Sequence, residues 1–106
     1  MKIHLLDKMV KGWIVGDFLP SVCQTNQFEV SIKEYKSGDS EPAHYHKVAK
    51  EISAVVSGKI RMNGRVFIKG QIVELDPGEI ADFQSLTDSI TVVVKIPSVV
   101  GDKYLV

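Results

Sequence analysis

Short runs of β-prone residues, separated by turn residues, recur along the whole chain. The clearest run is 27–35, which alternates between apolar residues (Phe28, Val30 and Ile32) and polar ones. Because the side chains of a strand point alternately to opposite faces, this period of two predicts a half-buried strand.

Four further runs have the same character: 52–56, 59–62, 71–75 and 89–96. Asn63-Gly64 follows the second of them, and this dipeptide is a strong hairpin signal, since a type I′ turn needs positive φ at both central residues. The run 89–96 is almost continuously β-branched, which predicts a strand that is buried on both faces and ended by Pro97.

The segment 47–56 is ambiguous. Val48, Ile52 and Val55 have helical spacing, whereas the β-branched content and the turn residues that follow favour a strand. For the whole chain we expect about seven or eight short strands with turns between them, which predicts an all-β sandwich or barrel.

The composition fits one domain, 1–106, because the chain has 106 residues and a mass of 11.7 kDa. Its 13 basic and 13 acidic residues give no basic excess, which argues against a nucleic-acid partner. No stretch approaches the roughly 18 apolar residues of a membrane span, and the N-terminal residues lack a signal-peptide cleavage pattern, so we expect a cytoplasmic protein. Cys23 is the single cysteine and cannot form an internal disulfide.

One group of residues carries candidate chemistry. His44 and His46 are two apart on a predicted strand, so their side chains leave the same face, and Glu51 follows five residues later. Two imidazoles and a carboxylate that converge form a ligand set for a divalent transition metal with open coordination positions. A His-x-His pair alone is more often two solvated histidines on an exposed strand.

The spacing around this group resembles the first motif of the cupin superfamily. Every motif position is filled, by Gly38, His44, His46, Glu51 and Gly58. The resemblance covers roughly 28–97 and implies a cupin-like double-stranded β-helix, a jelly-roll barrel whose open mouth holds a metal or a small ligand.

The second cupin motif is only partly present. Gly70 and Gly78 are in place, and Pro77 keeps the turn character between them. Three positions differ, where the pattern has proline, histidine and asparagine: Asp76, Ala81 and Ser85. The resemblance therefore implies a site that lacks its fourth protein ligand.

Asp82 lies beside the missing histidine, but the period of two sends it to the opposite face, so we interpret it as a surface residue and Phe83 as a packed one. The remaining ligands, His44, His46 and Glu51, would suit Fe, Mn, Ni or Zn. With one ligand lost, a barrel without metal is also consistent with the sequence.

Two other functions stay open beside a metal-binding cupin that oxidises or isomerises a small molecule. The sequence His44-Tyr45-His46-Lys47 resembles the nucleotide-sugar ketoisomerase branch of cupins, which implies metal-free proton transfer by a catalytic histidine, His44 or His46. Glu51 has no required role in that branch. The third hypothesis is a non-catalytic module that binds a small ligand.

The remaining aromatic and basic residues are interpreted structurally. We expect Trp13 and Phe18 to pack in the core or in a dimer interface, and Tyr45 to point away from the histidines between which it lies. The side chains that could steer an anionic substrate are interpreted as solvated: Lys33, Lys47 and Lys95.

The predicted barrel core spans about 26–97. The N-terminal extension 1–25 and the C-terminal extension 98–106 are rich in apolar residues and could cover sheet edges. The sequence therefore predicts a homodimer.

Overall fold

Strands make up nearly all of the regular structure. The computed structural model describes residues 1–106, and two short 3₁₀ turns, Leu6–Lys8 and Val10–Gly12, precede the first strand. The strands are β1 (Trp13–Gly16), β2 (Cys23–Gln24), β3 (Glu29–Tyr35), β4 (Ser40–Tyr45), β5 (Lys50–Ser57), β6 (Lys59–Met62), β7 (Arg65–Ile68), β8 (Ile72–Leu75), β9 (Ala81–Ser85), β10 (Ser89–Ile96) and β11 (Tyr104–Leu105).

The strands form two sheets that face each other across the interior. One has the order β2-β1-β3-β10-β5-β8, and the other has the order β11-β4-β9-β6-β7. All pairs are antiparallel except β1 with β2. This arrangement confirms the all-β, double-stranded β-helix (jelly-roll) fold expected from the sequence.

Both sheets contribute to a small apolar core. Its buried members are Val55, Ile60, Met62, Ala81 and Phe83. Tyr35, Val73 and Leu75 pack against this cluster. The core therefore fills only part of the interior, and polar side chains line the rest.

Strand β3 turns its polar face to the interior. Ser31 is completely buried, and Lys33 and Tyr35 line an interior cavity, whereas Phe28 is 40% exposed. A half-buried strand normally buries its apolar face. Here the interior at this point is a polar cavity, so the orientation is reversed.

The prediction that 89–96 is buried on both faces is wrong. In β10, Ser89, Thr91 and Val93 are buried, while Ile90 and Val92 on the other face are half-buried. The β-branched content reflects the central position of β10, which pairs with β3 and β5 along its whole length.

The hairpin turn at Asn63-Gly64 was predicted correctly. Asn63 and Gly64 have φ of 50° and 77° and join β6 to β7 as a hairpin. The ambiguous segment 47–56 contains no helix, and its residues 50–56 lie in β5.

The extensions add strands to both sheets. Strand β1 pairs with β3, and β11 pairs with β4 beside the predicted site. Several apolar side chains of the extensions are exposed: Leu5, Val10, Leu105 and Val106. The homodimer that these residues suggest stays a prediction. None of the helical segments has the length and apolar character needed to cross a membrane.

Candidate metal centre

Three predicted ligands converge inside the barrel. His44 lies near the end of β4, His46 follows that strand, and Glu51 lies on β5 in the other sheet. One donor atom from each lies within 4.8 Å of the other two. The imidazole rings are nearly perpendicular, with centroids 5.4 Å apart. The structure thus brings Glu51 together with the two histidines that the sequence placed on one face.

A β-bulge in β4 changes which of its side chains point into the cavity. In the pairing of β4 with β9, Glu41 lies opposite Phe83 and His44 opposite Ala81, so the register shifts between them. A bulge inserts an extra residue and changes which side chains point inward. Glu41 and His44 can therefore both line the cavity although they are three residues apart.

The backbone orients His44. Its Nδ1 lies 2.9 Å from the Pro42 carbonyl oxygen, which can only accept a hydrogen bond, so this nitrogen carries the proton. The other ring nitrogen, Nε2, is then unprotonated in the neutral ring and available to a metal. Metal-binding histidines commonly have such a partner, which fixes tautomer and ring orientation.

His46 presents a buried nitrogen without a partner. The residue is 5% exposed, and its Nε2 has no hydrogen-bond partner. Burial, together with the positive charges of Lys95 and His44, lowers the pKa of His46 to about 4. Its imidazole is therefore neutral near pH 7, as a metal ligand must be.

Glu51 is the third donor and is 9% exposed. Burial raises the pKa of its carboxyl group, and the positive charges of Lys95 and His44 partly oppose this rise. A buried carboxylate without an adequate counter-charge costs free energy. A divalent cation bound by Glu51 and the two imidazoles would supply that charge, so the donor set fits such an ion.

Asp102 stabilises the loop 47–49, which lies between His46 and Glu51. Its carboxylate accepts hydrogen bonds from the backbone N–H groups of Lys47, Val48 and Ala49, at 2.8, 3.1 and 2.9 Å. Burial alone would raise the pKa of Asp102, but these three donors outweigh it and lower the pKa. The sequence analysis missed this residue, because nothing local links Asp102 to a loop more than fifty positions earlier.

The strand opposite the ligands lacks a donor where the motif has one. Ala81 faces inward, is 4% exposed and lies opposite His44. Asp82 is exposed and accepts a hydrogen bond from the Asn63 N–H at 2.7 Å, while Phe83 is buried in the core. The predicted orientations of all three are confirmed.

The donors lie in a cavity of about 230 Å³. Its wall includes Trp13, Lys33 and Lys95, so the interpretation of the two lysines as solvated positions is wrong. The lysines were misplaced because the sequence does not show which face of β3 and β10 meets the cavity.

Trp13 packs edge-on against Phe18, with ring centroids 6.1 Å apart, and a dimer contact of these two residues stays a prediction. Two other interpretations hold, since Lys47 is exposed over the Tyr104 ring and Tyr45 stacks on the same ring outside the cavity.

No protein-family model matches the sequence, and a comparison with curated protein sequences finds no match. Solved structures are similar in fold.

A double-stranded β-helix protein from Klebsiella pneumoniae is 24% identical with a TM-score of 0.71, and the match covers 98% of this chain and 90% of that one. An RmlC-like cupin from Desulfovibrio desulfuricans is 18% identical with a TM-score of 0.66, covering 93% of this chain and 99% of that one. Oxalate decarboxylase from Bacillus subtilis, which has Mn(II) centres, is 18% identical with a TM-score of 0.63. That match covers 77% of this chain and 25% of the decarboxylase. The chain therefore has the cupin fold.

Proposed function

We propose that this protein binds a divalent transition metal through His44, His46 and Glu51 and acts on a small molecule in the adjoining cavity. The observation that carries the proposal is the buried Nε2 of His46, which has no protein partner and lies near the other two donors. A buried polar atom without a partner costs about 1–3 kcal/mol, and a metal ion would offset that cost.

Two imidazoles and one carboxylate suit Fe, Mn, Ni or Zn and leave coordination positions open. When bound, such an ion supplies Lewis-acid or redox chemistry to a molecule in those positions. The presence of Mn(II) centres in an oxalate decarboxylase of the same fold supports the proposal.

The surrounding residues fit a site for a small molecule. Met62, Leu75 and Phe83 form an apolar part of the cavity wall. Burial, followed by the negative charge of Glu41, raises the pKa of Tyr35 and keeps its hydroxyl protonated. That hydroxyl can donate a hydrogen bond to Glu41, whose Oε1 is 3.4 Å away, or to a ligand in the cavity.

One observation weighs against metal-free sugar isomerisation. Lys47, the last residue of the His-x-His-Lys sequence, contacts Tyr104 and does not line the cavity.

Metal titration tests the proposal. Protein purified without an affinity tag and treated with a chelator is titrated with Ni(II) or Zn(II) in competition with a metallochromic dye. We expect one ion per chain, and an affinity that falls by more than about tenfold, the lower limit for losing a mere supporting residue, in His46→Ala and Glu51→Gln.

His4→Ala is the matched control, because His4 is exposed and lies outside the cavity. It should bind metal as the wild type does. Equal affinities for the wild type and His46→Ala would overturn the metal assignment.

A further inference from the structure

Four lysines converge on the cavity that holds the metal donors. They come from separate segments: Lys11 before β1, Lys33 on β3, Lys95 on β10 and Lys103 before β11. None of these ammonium groups lies within 4.0 Å of a carboxylate, since both ion pairs of the structure are made by Lys50. Like charges brought together repel each other. The carboxylates that share the cavity wall are Glu41, Glu51, Glu79 and Asp82, and none of them forms an ion pair with these lysines, which leaves the ammonium groups open to an anionic ligand.

Lys33 and Lys95 form the inner part of the lysine cluster. Both are half-buried, and their Nζ atoms lie 4.8 and 5.1 Å from the centre of the Trp13 ring. Burial lowers the pKa of Lys33, Glu41 opposes this, and Lys95 lowers it further. The ring and Glu41 thus compensate these charges only in part.

Lys95 connects the lysine cluster with the metal donors. Lys95 lies directly opposite Glu51 in the pairing of β10 with β5. An anion beside Lys95 would therefore lie within reach of the donors.

We propose that the cavity binds a small organic anion whose charged group lies between Lys33 and Lys95 beside Trp13, with the rest of the molecule facing His46 and Glu51. The anion site rests on the lysines and does not depend on metal binding. The role of the anion as a substrate rests on the proposed function. The cavity volume of about 230 Å³ corresponds to about eight waters at ~30 Å³ each, which limits the ligand to a small acid.

Lysine is a point charge that binds carboxylate and phosphate alike, so the proposal concerns their shared anionic chemistry. Backbone turns that bind phosphate specifically use glycine-rich loops or helix N-termini. Neither lines this cavity, which favours a carboxylate.

Trp13 is the single tryptophan of the chain, so its fluorescence reports on this site. Metal-free protein is titrated at constant ionic strength with malonate, with methyl phosphate and with neutral malonamide. We expect a saturable change in emission with an anion but not with malonamide. A stronger response to malonate would identify the ligand as a carboxylate, and a stronger response to methyl phosphate as a phosphate ester.

Lysine variants locate the binding. Lys33→Met and Lys95→Met should each weaken malonate binding about tenfold, the change that corresponds to losing one charge-assisted hydrogen bond. Lys69→Met is the matched control, because Lys69 is exposed and does not line the cavity. As a second measurement, malonate should raise the melting temperature of the wild type more than that of Lys33→Met.

The outcomes separate this proposal from the metal assignment. No change in Trp13 emission with either anion, or equal malonate affinity in Lys33→Met and Lys69→Met, would overturn the anion site even if metal binds. Malonate binding that requires Lys33 and Lys95, in a protein that binds no metal, would support the anion site and overturn the metal function alone.

Discussion

The segments 38–58 and 70–85 form opposite sides of the same site and differ in one respect. Each contains glycines with φ between 82° and 93°, and each turns alternate side chains inward. His44 and Ala81 lie directly opposite each other in the pairing of β4 with β9. The first segment supplies donors, whereas the second supplies a methyl group at the position where a donor would fit.

This difference shows that the backbone of the site and its ligands are specified separately. The turn at Gly78 still contacts the first segment, because its N–H donates a hydrogen bond to the His46 carbonyl oxygen at 2.7 Å. Pairing and turn conformation therefore persist without the fourth ligand. The predictions below test the loop of the first segment, the missing ligand of the second segment and the hairpin between them.

The largest expected effect comes from removing the brace of the first segment. Asp102→Ala leaves three backbone N–H groups of the loop without their acceptor, and we expect a loss of about 3 kcal/mol in the free energy of unfolding. Chemical denaturation measures this loss. Asp7→Ala is the control, because Asp7 is exposed, and equal stabilities of the two variants would contradict the bracing role.

The same brace has a defined pH dependence. The pKa of Asp102 is lowered from its ordinary value of 3.8, so its stabilisation is complete above that value and is lost as the pH falls through the lowered folded-state pKa. The stability difference between the wild type and Asp102→Ala should therefore shrink only below about pH 4. A difference that disappears already near neutral pH would assign it to another group.

The second prediction restores the missing donor. Ala81→His places an imidazole opposite His44, and we expect about tenfold or more tighter Ni(II) binding, because it adds a coordinate bond to a preformed site. Gln84→His, on the exposed face of the same strand, should gain nothing. Equal metal affinities of the two variants would contradict the proposal that the second segment holds a ligand position at residue 81.

The smallest effect is expected in the hairpin that connects the two segments. Gly64 has φ of 77° and no atom near its missing Cβ, so conformational strain alone opposes a side chain there. Gly64→Val should cost about 1 kcal/mol of stability, measured by thermal melting, with metal affinity unchanged. Unchanged melting would show that the turn tolerates a β-branched residue.

The sequence predicted the framework better than the cavity. Hairpin residues and strand ends are local signals, and for that reason 59–62 and 89–96 agree with β6 and β10 in both bounds. The spacing of His44, His46 and Glu51 likewise identified residues that converge. Alternation gives two faces for a strand, however, and does not show which face meets a polar interior.

That limit explains the side chains that were misplaced. Lys33 and Lys95 resemble solvated residues in any local window, and nothing local shows that Trp13, which packs against Phe18, also lines the cavity. Their shared cavity exists only because β1, β3 and β10 are neighbours in one sheet. Asp102 was missed for the same reason, since its partners are distant in sequence.

The distance between Asp102 and its loop also affects the order of events during synthesis. The ribosome completes both histidines and Glu51 about fifty residues before it adds Asp102. Until then the N–H groups of the loop lack the carboxylate that accepts their hydrogen bonds in the folded protein. Contacts between distant positions form late in folding. A metal ion that meets the nascent chain would encounter flexible ligand residues, so the proposed metal site would form only in the finished barrel.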